Sequence, residues 1–276
     1  MLPEDASVEY DGAVVLMDAL GVKGIWHHER DPKAFAENWA RIMTSAVRRI
    51  GARSSNSRRS HQTREPRDPA KVWECMEFSD SLIVTAPTQD IDAAFFDKLQ
   101  RRICRFLWAL LDKDSPLPLY RGAIATGRFY RCGQIIIGPA VDEAAEWCNL
   151  AEWAGLMLTP SAVKDLESSL LETRGERRAT LKRMFPEWKI PLKAGVYEGG
   201  RALAWPIPNI EEQVGSNISK VFSNKQKIID AFHRSPVQVD VAKKYLNTIA
   251  FHNKVYKDAL KEIRDKGRRA VYCGSM

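Results

Sequence analysis

Two aspartates stand at the ends of apolar runs: Asp18 closes the first in VVLMD, and Asp80 opens the second in FSDSLIV. Where such runs are neighbouring antiparallel strands, both carboxylates fall at one edge of the sheet. Paired carboxylates repel each other, and a divalent cation relieves the repulsion; ligands that are all oxygen select Mg2+ or Mn2+. Read singly, an aspartate in either place more often caps a turn. Residues 19–24 (ALGVKG) follow Asp18 with two glycines and Lys23. Glycines let backbone N–H groups turn toward a phosphate, and the ammonium adds charge. The P-loop pattern is absent, and a plain turn reads as well. A third segment, RGAIATG at 121–127 with GPAVDEAAEW at 138–147, reads as a hairpin feeding a helix.

Those side chains need a sheet to hold them. The chain has 276 residues, 45% hydrophobic and 28% charged, which supports a packed core and excludes wholesale disorder or a fibrous rod. Residues 14–17 read as a strand and 32–50 as a helix that Pro32 starts and Gly51 stops. Residues 52–70 are poor in apolar side chains and rich in Ser, Arg and Pro, which predicts a long loop. A buried strand is expected at 81–86, and a strong helical stripe runs through Phe95, Phe96, Leu99, Ile103, Phe106 and Leu107. Residues 120–126 and 129–137 read as a hairpin joined through Gly127. A helix over 141–154, a strand at 156–159, a helix from about Ser161 and a last strand at 196–205 follow. Helices without strands are expected from Asn209 onward. The fold class is α+β: an antiparallel sheet with helices on one face, a palm-like, ferredoxin-like arrangement, with a helical C-terminal extension. The division is 1–207, carrying the basic loop 52–70, and 208–276.

Taken together, the pieces resemble the class III nucleotide cyclase catalytic domain. That family's first metal aspartate follows a strand, as Asp18 does in VVLMDALGVKG, and its second lies in a Gly-Asp strand start, as Asp80 does with Ser79 in place of Gly. RGAIATG loosely matches its R-x-G-I-x-x-G strand, and GPAVDEAAE its G-x-x-V-N-x-A-x-R helix start. The likeness spans about residues 14–205. It implies Asp18, Ala19 and Asp80 as ligands of two Mg2+ or Mn2+ ions, with Asp18 and Asp80 the catalytic carboxylates. Ala19, Leu20, Gly21, Lys23, Arg121 and Lys193 would contact the substrate. The implied reaction is attack of a ribose 3′-OH on the α-phosphate with loss of pyrophosphate, in a head-to-tail homodimer with shared sites.

The departures redirect the substrate. The family's ribose-contacting Asn and phosphate-contacting Arg fall on Asp142 and Glu146, to which neither role transfers. The purine-selecting positions are Met76 and Ile135, and neither side chain hydrogen-bonds a base edge. The combination is similar to the pyrimidine cyclases of the bacterial Pycsar anti-phage systems. The similarity implies UTP before CTP, and a cyclic nucleotide read by a separate effector. A purine cyclase and a non-catalytic nucleotide-binding relative stay open. The formal charge of +7 favours acidic partners. The basic loop lacks the interleaved aromatics of a base-stacking surface, so no nucleic acid is expected. No run is long enough to span a bilayer and no apolar leader opens the chain, so a cytoplasmic protein without a membrane partner is expected. The five cysteines form no C-x-x-C pair, which fits reduced thiols.

Overall fold

The computed structural model describes residues 8–20, 31–50, 53–54, 72–111, 119–133, 135–205, 218–233 and 239–273. The strands of the main sheet are β1 (Val8–Ala19), β2 (Arg53–Ser54), β3 (Glu74–Phe78), β4 (Ser81–Pro87), β5 (Tyr120–Cys132), β6 (Ile135–Ile137) and β7 (Gly155–Leu158). Their order is β2-β3-β4-β1-β5-β6, with β7 added to β5. The pairs β1–β4, β1–β5, β3–β4 and β5–β6 are antiparallel, while β5–β7 is parallel. A short hairpin of β8 (Ile190–Leu192) and β9 (Gly195–Tyr197) stands apart. The α+β class expected from the sequence is the one observed.

Alternation along the strands divides the core between two faces. Ala13, Val15 and Met17 of β1 pack with Leu82 and Val84 under α1 (Pro32–Ile50) and α2 (Ala93–Leu110). Tyr10 and Val14 point the other way and pack with Ala125 and Phe129 under Ala140 and Ala144 of α3 (Pro139–Leu150). The first-turn proline of α3 and the Asp92 cap of α2, which accepts a 2.8 Å bond from the Phe95 amide, place the two helix starts. Thus α3 takes the second face rather than joining the other helices. It forms the crossover that lets β7 run parallel to β5. After β7 come α4 (Pro160–Glu172) and α5 (Gly175–Met184), and after the small hairpin α6 (Ile218–His233) and α7 (Val239–Cys273). Ile228, Phe232, Phe251 and Val255 of the last two helices join the larger core, Phe251 against Trp153 and Trp188.

Four expectations need correction. Gly127 does not turn the chain: it pairs with Gly12 inside β5, and the reversal falls at Gly133, whose φ of 59° suits a tight turn. The sequence reading missed β3, because ECMEF mixes acids with apolar residues and lies toward the sheet edge. In place of the strand expected at 196–205 stand the end of β9, paired with β8, and isolated bridges from Arg201 and Ala202. The helix expected over 141–154 begins at Pro139 and stops at Leu150. Of the basic loop only Arg53–Ser54 is described, as a strand beside β3; the rest lies outside the described residues.

Candidate active site

Asp18 lies one residue from the end of β1, directly opposite Ser81 on one side and Arg121 on the other. Residues opposed in a ladder share a face, so Phe78, Ser81, Asp18 and Arg121 form one row across β3, β4, β1 and β5. Asp80 sits in the turn between β3 and β4, and its carbonyl accepts a 3.1 Å bond from the Ala19 amide. The two aspartates expected to share a sheet edge therefore do so. The turn is built by Ser79, which adopts φ 55°. That left-handed geometry is the one the glycine of the resembled motif would enter without a Cβ penalty.

The two carboxylates differ in their surroundings. Asp18 Oδ2 accepts 3.1 Å and 2.9 Å bonds from Nε and Nη2 of Arg121, and Oδ1 accepts a 3.3 Å bond from the Ser81 hydroxyl. Arg121 Nη1 reaches the Ala151 carbonyl at 3.3 Å, just past α3. The side chains of Arg121 and Asp18 are 12% and 23% exposed. The Asp80 carboxylate forms no hydrogen bond or ion pair among the described residues. Gly122 sets the spacing behind this row: a Cβ there would meet the Leu16 carbonyl oxygen at 2.2 Å, so only glycine fits between β1, β5 and β7.

The electrostatics show which groups are gathered. Burial pushes the Tyr120 hydroxyl far up, and the nearby charges of Asp80, Glu77, Asp18 and Cys75 push the same way. Burial raises the Cys148 thiol to about 12, helped by Asp18 and opposed by Arg121 and Lys193. Asp18 thus acts on both groups, Asp80 on Tyr120, and Arg121 and Lys193 on Cys148. Lys193 is exposed in the β8–β9 turn, and its amide donates to the Leu150 carbonyl at 2.9 Å, which ties it to the end of α3. Glu77 is raised by burial and lies on the opposite face, in register with Leu82.

Other residues expected at the site are placed as follows. The amides of Ala19 and Leu20 donate to Asp80 and Leu119 carbonyls, so in this conformation they serve the sheet. Gly21 and Lys23 lie outside the described residues. Asp142 and Glu146 are exposed one turn apart on α3. Met76 lies in the half-buried row Met76, Ile83, Leu16 next to Asp18, whereas Ile135 is on β6 at the far side of the sheet. Within one chain the two do not converge. Trp73 is packed, 2% exposed, with the Arg102 guanidinium 4.5 Å above its ring. Sequence reasoning missed Ser81 and the Ala151 carbonyl; only the register between strands reveals the first and the course of the chain after α3 the second.

Whether a divalent cation fits can be read from the donors. Asp18 and Asp80 supply only oxygen, and Asp80 has no competing partner among the described residues. No group of three or more His, Cys, Asp or Glu able to hold a metal occurs among the described residues. The site fits a hard cation that keeps waters or phosphate oxygens in its shell, as Mg2+ does, and not an all-protein cage. A cation bound to Asp18 Oδ2 must displace or share with Arg121.

No family model matches the chain, and no curated protein matches it. Solved structures similar to it include the catalytic core of a rhodopsin-guanylyl cyclase with converted specificity in complex with ATPαS, at TM-score 0.43 and 10% identity over 59% of this chain and 84% of that one. Two more are monomeric crystal structures of the guanylyl cyclase domain of the RhoGC fusion protein from the aquatic fungus Blastocladiella emersonii. One is a double mutant; both have TM-score 0.42 and 10% identity over 59% of this chain and 86% and 88% of theirs.

Proposed function

We propose that this chain is a nucleotide cyclase that converts UTP to 3′,5′-cyclic UMP and pyrophosphate, with CTP the next candidate. Its product would be a second messenger for a separate effector in anti-phage defence. The observation that carries the reading is the placement of Asp18 and Asp80 at one end of the adjacent strands β1 and β4. In the reaction the ribose 3′ oxygen bonds to the α-phosphorus, the bond to the β-phosphate oxygen breaks, and the hydroxyl proton passes to solvent. Asp18 and Asp80, with the Ala19 carbonyl, would hold Mg2+ or Mn2+, two ions per site, which supply charge neutralisation and Lewis acidity at the reacting phosphate.

The chain's own residues do the positioning. Lys193, tied to the end of α3, offers a mobile point charge to the outer phosphates. Arg121, engaged with Asp18, supplies a donor to a phosphate oxygen only when it leaves that carboxylate. The half-buried row of Met76, Ile83 and Leu16 gives an apolar floor beside the carboxylates, without donors for a purine edge. A homodimer with shared sites and solvent-side access for the triphosphate complete the proposal. No helix among the described residues is long and apolar enough to cross a membrane.

The exposed acids Asp142 and Glu146 favour a second reading, a nucleotide-binding relative without catalysis. One experiment separates them: incubation with Mg2+ or Mn2+ and each of ATP, GTP, CTP and UTP, with products identified by mass spectrometry. Cyclic UMP is expected. Cyclic AMP or GMP would refute the pyrimidine assignment, and no cyclic product from any nucleotide would leave the non-catalytic reading.

A further inference from the structure

The Asp18–Arg121 bond is anchored from a distance. Arg121 Nη1 rests on the Ala151 carbonyl, and residues 151–154 are held by the C-terminal helix α7. The Thr248 hydroxyl oxygen, fully buried, accepts the Ala154 amide at 2.8 Å, and the Asn247 side-chain amide donates to the Glu152 carbonyl at 2.8 Å. Phe251 packs edge-on against Trp153, ring centres 4.6 Å apart. A continuous path of polar contacts and packing therefore runs from α7 through four residues of backbone to the guanidinium that occupies Asp18.

We infer that α7 controls cation uptake at Asp18, by holding the backbone that keeps Arg121 on that carboxylate. The inference rests on the reading of Asp18 and Asp80 as cation ligands and names a regulator of that site. The physics is competition. A guanidinium within hydrogen-bond distance of Asp18 Oδ2 repels a divalent ion and occupies the lone pairs that the ion needs. With α7 docked, three bonds fix Arg121: two to Asp18 and one to Ala151. When 151–154 is loosened the third weakens, and Arg121 swings away from Asp18 more readily. The docked tail thus lowers cation affinity, and anything that draws α7 off the 151–154 segment raises it. Arg121 is a positioning residue in this scheme, and α7 acts through it.

The test is Mn2+ binding by isothermal titration calorimetry on the full chain without nucleotide, with melting temperatures as a fold check. Arg121→Gln should bind Mn2+ about tenfold more tightly than the wild type, because one positive charge next to a divalent ion is removed. Asn247→Ala, which deletes the bond to the Glu152 carbonyl, and Thr248→Val, which deletes the bond from the Ala154 amide, should shift affinity the same way by about two- to fivefold. Combining either with Arg121→Gln should add nothing further, since the path ends at that side chain. Asp80→Asn is the control on the underlying reading. If it leaves Mn2+ binding unchanged, the cation site itself is misread. If it abolishes binding while Arg121→Gln, or both folded tail variants, bind as the wild type does, the control by α7 alone is overturned.

Discussion

Asp18 is a carboxylate with one oxygen accepting two hydrogen bonds from the Arg121 guanidinium, whereas Asp80 has no such partner among the described residues. Under the proposed function that difference separates the two residues' effects on stability from their effects on turnover. Asp80→Asn removes charge where none is being neutralised by a described side chain, so the fold should stand while cyclic nucleotide formation falls by about a hundredfold or more. Asp18→Asn should lose turnover equally and in addition destabilise by about 1–3 kcal/mol, since Arg121 is left largely buried without its counter-charge. Parallel turnover and urea-denaturation measurements check both, and an Asp80→Asn protein of full activity would sink the site assignment. Ser79 carries the opposite lesson. Its φ of 55° is strained for any residue with a Cβ. Ser79→Gly should therefore stabilise by about 0.5–1 kcal/mol, the relief exceeding the entropy glycine gains when unfolded. A fall in denaturation midpoint would show that the turn needs the serine.

At the scale of elements, apolar runs mark the strands that matter most. Val14, Val15 and Met17 of VVLM and Leu82 and Val84 of SLIV are buried, while Leu16 and Ile83, on the face that bears Asp18, are half-buried; the ends of those two runs are enough to locate Asp18 and Asp80. Register and pairing are not legible in the same way. That Asp18 faces Arg121 depends on β5 running unbroken past Gly127, and a glycine in a strand looks the same in sequence as a glycine in a turn. Strand β3, next to the short edge strand β2, and the β8–β9 hairpin give no clean alternation to read. The tail is legible as helix but not as a docked one. Its docking carries a pH signature in His252, which is 2% exposed on α7 with neither ring nitrogen hydrogen-bonded. Burial lowers its pKa below the usual 6.5 and the charge of Lys225 on α6 adds to this, while the Asn253 side chain, short of hydrogen-bond geometry, pulls the other way. The folded state thus holds His252 neutral, and the unfolded chain takes up the proton first as pH falls. Stability is present above pH 6.5 and is lost below it, by up to about 1.4 kcal/mol per pH unit until the folded-state value is passed. Melting curves of the wild type and His252→Leu from pH 7.5 to 5 should converge or cross as the wild type weakens. A gap independent of pH would refute the assignment.

For the whole molecule the question is what covers the face that bears the carboxylates. Phe78, in the row of Asp18, is 82% exposed, and Ile135 and Ile137 on the outer strand β6 are 61% and 59% exposed. Met76 and Ile135 lie four strand spacings apart, about 19 Å in a flat sheet, too far to line one base pocket within a chain. A head-to-tail pair answers both points, because the second copy's residues 135–146 would come down over Asp18 and Asp80 and bury the apolar side chains that a lone chain leaves in water. Each chain also carries a formal +7, so two copies repel at low ionic strength. Salt should accordingly act in two directions. Raising it screens the repulsion and tightens the pair, while it weakens attraction of the anionic triphosphate to the site. At saturating nucleotide and low protein concentration the first effect prevails, so turnover per chain should rise with moderate salt and fall on dilution, in step with the dimer fraction from analytical ultracentrifugation. Constant turnover per chain from micromolar down to a concentration at which sedimentation shows only monomer would mean that one chain holds a complete site, and that the exposed β6 isoleucines serve some other contact.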